Sequence, residues 1–219
     1  LADVGDPVEL GARYAAEGAD ELVFLDISAS REGRATLVRM VERVAERVNI
    51  PFTVGGGISS ADDAARLLDA GADKITVNSA AEANPGLITE IARRYGSQFV
   101  VVAIDARTDA RGQWMVTTHG GSRPTGLELF SWAREAVERG AGEILFTSMD
   151  HDGTRRGYPC DVYRRLADCV AVPVIASGGA GSVADIAEVL TAGGADAALA
   201  ASIFHYGEMT PRSLKRELL

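Results

Sequence analysis

The 219 residues are 47% hydrophobic and 24% charged, enough apolar side chains for one globular domain with a sizeable core over residues 1–219. The formal net charge of −9 argues against nucleic acid as a partner. It leaves anionic substrates open, because backbone N–H groups and helix N-termini bind phosphate without a basic surface.

Strand-like and helix-like segments alternate along the chain, the pattern of parallel βαβ units. Asp6-Pro7 predicts a capped helix start with proline at the first helical position. Strands are read at residues 21–26, 52–54, 74–78 and 99–105, short Val/Ile/Leu-rich runs suited to burial on both faces. Between the second and third, Ser59 and Ser60 precede a helix that stops at Gly71. Residues 108–125 form the one long irregular insertion and are read as a short hairpin. Strands follow at residues 143–148, 174–177 and 197–201; Ser182 precedes a helix stopping at Gly193 or Gly194, and Thr210-Pro211 repeats the opening device. No apolar run approaches the roughly 18–20 residues that span a bilayer and no signal-peptide pattern opens the sequence, so a cytoplasmic location is expected. Cys160 and Cys169 fit neither a disulfide framework nor a metal site and are read as reduced thiols. His119, His151 and His205 have no metal-binding spacing, and nothing requires a metal or cofactor.

The chain contains a copy of itself. GADELVFLD (18–26) recurs as GAGEILFTS (140–148), IPFTVGGGI (50–58) as VPVIASGGA (172–180), and GADKITVNSAA (71–81) as GADAALAASIF (194–204). The offset is 122 at Glu21/Glu143 and Pro51/Pro173 and 123 at Asp73/Asp196, one slip over a duplicated half. Two four-strand halves predict a (β/α)8 TIM barrel. The second half carries four strands and the first three, since the counterpart of the 99–105 strand would fall before Leu1. The chain is therefore read as an N-terminally incomplete barrel without its first strand.

Active sites of such barrels lie at the C-terminal strand ends. There Gly55, Gly56 and Gly57 with Asn78 and Ser79 form one cluster; Ser177, Gly178 and Gly179 with Ala201 and Ser202 form its copy. Glycine lets the backbone approach an anion, and the following helix offers unpaired N–H groups. Two such sites at one mouth imply a substrate phosphorylated at both ends. Asp105 closes FVVVAID and is read as a general acid or base. Asp26 closes LVFLD in a similar place. Asp152 and Gly153, in SMDHDGT, are read as shaping a loop over the second phosphate, while Asp150 fits a structural or a functional role equally. At the opposite end Glu21, Lys74, Glu143 and Ala197 start equivalent strands. The first three are read as a polar ring closing a passage through the barrel, Lys74 being neutralised between two glutamates. Solvated strand starts are the plainer alternative.

GDPVELG, DELVFLDISAS, PFTVGGGI, GADKITVNSAA, VVVAIDA, GAGEILFTSMDHDGT and IASGGAG together resemble the cyclase subunit of imidazole glycerol phosphate synthase over essentially the whole chain. The resemblance implies ammonia addition to a bis-phosphorylated aminoimidazole carboxamide ribonucleotide with a phosphoribulosyl arm, then cyclisation and cleavage. The implied products are imidazole glycerol phosphate and an aminoimidazole carboxamide ribotide. It implies a glutaminase partner docked at the barrel bottom, with Glu21, Lys74 and Glu143 as an ammonia gate. Asp105 corresponds to one of two catalytic aspartates, and Thr147 to a pocket-lining threonine. Gly56, Gly57, Asn78 and Ser79 match one phosphate site, and Asp152, Gly153, Ser177, Gly178, Gly179 and Ser202 the other. The family's second aspartate, a loop lysine and a gate arginine belong to the segment before Leu1, and its usual tail lies beyond Leu219. The sister phosphoribosyl isomerase of the same pathway, or a catalytically inactive barrel fragment, are the competing readings.

Overall fold

The computed structural model describes residues 5–25 and 31–218. The first half runs α1 (Pro7–Ala16), β1 (Leu22–Leu25), α2 (Arg31–Arg47), β2 (Phe52–Gly55), α3 (Ala61–Asp69), β3 (Lys74–Val77), α4 (Ser79–Ala83) and α5 (Gly86–Tyr95). Then come β4 (Val100–Thr108), a hairpin of β5 (Trp114–Thr118) and β6 (Arg123–Glu128), and α6 (Leu129–Glu138). The rest is β7 (Glu143–Ser148), α7 (Cys160–Cys169), β8 (Val174–Ser177), α8 (Val183–Thr191), β9 (Ala197–Ala198), α9 (Ser202–His205) and α10 (Pro211–Leu218). No described helix is long and apolar enough to cross a membrane.

The parallel strands pair in chain order, β1-β2-β3-β4-β7-β8-β9, each joined to the next through helices. This is the wall of a (β/α)8 TIM barrel, with β1 and β9 at the ends of the path among the described residues. Alternation along each strand divides two environments. Ile75, Val77, Val100, Val102, Ile104, Ile144, Phe146, Val174 and Ala176 join the core shared with the helices. Val101 and Leu145, at 1% and 3% exposure, are buried outside that core, on the faces that look into the barrel. Helix burial follows its own period: α5 buries Leu87, Ile88 and Ile91, and α6 buries Leu129, Phe130, Trp132, Ala133 and Ala136. Truncating a side chain such as Ile144 to alanine would cost about 2–5 kcal/mol.

The duplication reappears as matched hydrogen bonds. Ser60 and Ser182 cap α3 and α8, accepting from the N–H groups of Asp63 and Asp185. The Phe52 N–H donates to Asp73 Oδ2 at 2.9 Å, and the Val174 N–H to Asp196 Oδ2 at 2.9 Å. The caps are 122 positions apart and these aspartates 123, so the extra residue sits at Gly193-Gly194, after α8 ends. The expected Asp6-Pro7 start is also formed: Asp6 accepts from the Val8 and Glu9 N–H groups.

Some boundaries differ from expectation. The 197–201 strand ends at Ala198, where the chain turns towards α9; among the described residues it pairs with β8 alone. The 74–78 strand stops at Val77, because the backbone leaves the extended conformation at Asn78, the residue that precedes α4. Phe99 lies in a 3-10 turn, whereas β4 continues to Thr108 because β5 folds back along it, pairing Asp105 with Thr117 and Thr108 with Trp114. The insertion is thus a hairpin whose β5–β6 register shifts between Met115 and Thr117, and its Trp114 packs edge-on to Phe146.

Candidate active site

The mouth of the barrel is built from the last residues of β3, β4, β7 and β8. Register sets Asp105 beside Thr147 and Thr147 beside Ser177. Asp105 Oδ2 accepts a hydrogen bond from Asn78 Nδ2 at 3.1 Å. Burial raises the Asp105 carboxyl above the ordinary range; the Asn78 bond opposes that rise and the negative charge of Asp152 adds to it. The backbone below is fixed from the hairpin, where Thr117 Oγ1 donates to the Asp105 carbonyl at 3.2 Å. Thr117 is 1% exposed and was hidden in a segment that reads as irregular; the alternation in WMVTT is its signal.

The paired glycine loops flank this carboxyl group. Gly57 has φ +64°, and a Cβ built there meets nothing within 4 Å, so its flank is open space. Gly179 is closed by contrast: with φ +135°, its Cβ would lie 2.3 Å from the Gly157 carbonyl oxygen, a close approach only glycine permits. The loop from β7 packs against this second cluster, and the Gly157 N–H donates to the Gly179 carbonyl. Asn78 turns its side chain to Asp105 and leaves α4 without a side-chain cap; Ala201 cannot cap α9. So Ser79 and Ser202 begin helices without a side-chain cap, while α3 and α8 are closed by their serines.

Other expected residues fall as follows. Asp152 lies near enough for its charge to bear on Asp105, and its N–H donates to the Ser148 carbonyl. Gly153 adopts φ +70° in the same loop. Asp150 accepts from Thr108 N at 2.8 Å and Thr108 Oγ1 at 2.9 Å, tying the β7 loop to the end of β4. Asp26 lies outside the described residues. His151 Nδ1 is 2.8 Å from Ser148 Oγ, and His205 Nδ1 is 2.6 Å from the Tyr14 hydroxyl. Cys160 and Cys169 are free thiols, both pushed up by burial. Among the described residues no group of three His, Cys, Asp or Glu is placed to hold a metal ion.

At the far end Glu21, Lys74 and Glu143 do meet. Lys74 Nζ donates to Glu143 Oε1 at 2.6 Å and to both Glu21 oxygens at 2.9 and 3.0 Å. Burial would lower the Lys74 ammonium, but its bonds to Glu143 and Glu21 win and raise it. Thr53, in register with Lys74, and Thr76, two residues nearer the mouth along β3, are both buried.

Residues 1–210 match the family model described as "Histidine biosynthesis protein". The "Imidazole glycerol phosphate synthase subunit HisF" of Flavobacterium johnsoniae is 58% identical over 218 residues, covering 100% of this chain and 86% of that relative. The protein of the same name from Acidobacterium capsulatum is 59% identical over 218 residues, with 100% and 86% covered. That from Halalkalibacterium halodurans is 58% identical over 219 residues, with 100% and 87% covered.

Proposed function

The chain belongs to the histidine biosynthesis protein family, and we propose that it acts as the cyclase subunit of an imidazole glycerol phosphate synthase. The substrate is the bis-phosphorylated phosphoribulosyl aminoimidazole carboxamide ribonucleotide, one phosphate held by Gly56, Gly57, Asn78 and Ser79. The other is held by Ser177, Gly178, Gly179 and Ser202 under the Asp152-Gly153 loop. This stretches the reacting segment across Asp105 and Thr147. Ammonia adds to the substrate, the imidazole ring closes with loss of one water, and a lyase-type cleavage releases imidazole glycerol phosphate and the aminoimidazole carboxamide ribotide. Asp105 moves the protons: its raised carboxyl keeps a proton nearer neutrality than an exposed aspartate would, and Asn78 fixes the oxygen that gives or takes it. Ammonia comes from a partner glutaminase docked beneath the Glu21–Lys74–Glu143 triad, which acts as the gate. The observation that carries this reading is one half-buried, Asn78-bound carboxyl between two repeat-related glycine loops.

The test is turnover of that ribonucleotide with ammonium at high pH and no glutaminase. Ammonium-dependent formation of imidazole glycerol phosphate supports the cyclase. Consumption of the sister isomerase's substrate without ammonium would replace it with the isomerase. Phosphate binding without either turnover would make the chain a binding-competent but inactive barrel.

A further inference from the structure

Tyr163, on α7, is fully buried, yet its hydroxyl reaches the strand ends. It lies 2.9 Å from the Phe146 carbonyl oxygen and 2.7 Å from that of Ser177, and accepts from the Ser177 N–H at 3.1 Å. A phenol has one proton, so it donates to one of these carbonyls while accepting from Ser177. Burial raises the hydroxyl well above its ordinary pKa and keeps it a donor. The ring is locked between Phe146, centroids 4.9 Å apart, and Tyr158, 6.0 Å apart. The side chain therefore stands as a link between β7 and β8 immediately before Gly178-Gly179.

Among the described residues the first half has no such link. The repeat offset of 122 sets Tyr163 against Val41 of α2, also fully buried, and Ser177 against Gly55. The next buried position agrees, Leu166 against Val44. Helix packing was kept and a hydroxyl was added on one side alone. We infer that Tyr163 is a positioning residue for the Ser177-Gly178-Gly179 loop, making the second phosphate site the more pre-organised and tighter of the two. A loop whose N–H groups are held before the ligand arrives loses less freedom on binding.

This rests on the reading that both loops bind phosphate, and the experiment separates the two. Inorganic phosphate is titrated into the full chain while the amide signals of Gly57 and Gly179 are followed by NMR. In wild-type protein both respond, with Gly179 saturating first. In Tyr163→Phe the Gly179 affinity falls about fivefold, the worth of one net hydrogen bond, and the Gly57 affinity is unchanged. In turnover the same variant raises KM by a similar factor and leaves kcat within about twofold. Tyr158→Phe, which loses a buried hydroxyl bonded to the Leu199 carbonyl instead, leaves the Gly179 affinity as it was. No response at Gly179 in wild-type protein refutes the phosphate reading. A wild-type response that Tyr163→Phe does not weaken, or weakens equally at Gly57, overturns the inference. Should Tyr163→Phe not fold, equal affinities at the two wild-type loops overturn it instead.

Discussion

Replacing Lys74 by methionine removes the one ammonium between two carboxylates while keeping the length of the side chain. The Lys74 and Glu143 side chains are 16% and 17% exposed, and Glu21 is 42% exposed. Breaking a fully buried pair costs about 3–5 kcal/mol, because the charge left behind is uncompensated. A surface pair is worth about 0–1 kcal/mol. Glu21 can turn to water but Glu143 cannot do so freely, so the expected loss is about 2–3 kcal/mol, or roughly 5–10 °C in Tm for a chain of this size. Urea unfolding at neutral pH measures it. Lys74→Met/Glu143→Gln should recover more than half of the loss, since it discharges the stranded carboxylate. The pH dependence has a fixed sign. The Lys74 pKa is raised in the fold, so its contribution is fully present below its unfolded value of 10.5 and disappears as pH climbs through the folded one. A Lys74→Met variant within about 0.5 kcal/mol of wild type would refute the argument and return these residues to solvated strand starts.

Asp105→Asn should lower turnover by at least about 10²-fold yet stabilise the fold at pH 7, because burial disfavours the ionised carboxyl. That gain should vanish below the unfolded value of 3.8, where the acid is neutral in both states; urea midpoints at pH 3.5 and 7 check it. Gly57→Ala, with space around the new methyl group, should cost only about 1–2 kcal/mol for its φ while raising KM; Gly179→Ala meets backbone and should cost about 3 kcal/mol or more, read by thermal unfolding. His205 is lowered below 6.5 by burial and by Arg13, so protonation opposes folding and stability should fall as pH drops below about 6.5. In Tm scans from pH 5 to 8, His205→Gln should flatten that part of the profile.

The barrel was legible because its repeat is spelled out in apolar strands and glycine turns, and the Glu21–Lys74–Glu143 contact because equivalent strand starts share one layer. Asp105 was legible as the polar end of an apolar run. What could not be read depends on pairing between distant segments. The tie that Asp150 makes could not be foreseen, since its partner Thr108 lies 42 positions away. The hairpin was anticipated within 108–125, but its second strand runs on to Glu128; RPTGLE contains Pro124 and Gly126 and is largely solvent-facing, so no apolar alternation marks where it ends. Tyr163 reads as an ordinary core residue of an amphipathic helix until the place of its hydroxyl is known.

The two halves share their scaffold and differ in what is laid over it. Scaffold bonds keep the repeat: Ser60 and Ser182, Asp73 and Asp196, α3 and α8 of nine residues each. At the mouth the symmetry fails in a consistent direction. Asn78, which serves Asp105, stands where the second half has Ala201; Gly55 stands where the second half has Ser177; Val41 stands where it has Tyr163. A symmetric barrel would hold a substrate with two phosphates equally well in either direction. Chemistry at one end of the substrate needs a single orientation. On the proposed assignment of Asp105 as the acid–base group and of both loops as phosphate sites, Asn78 on one side and the Tyr163-linked loop on the other would discriminate between the two orientations without disturbing the core that both halves share.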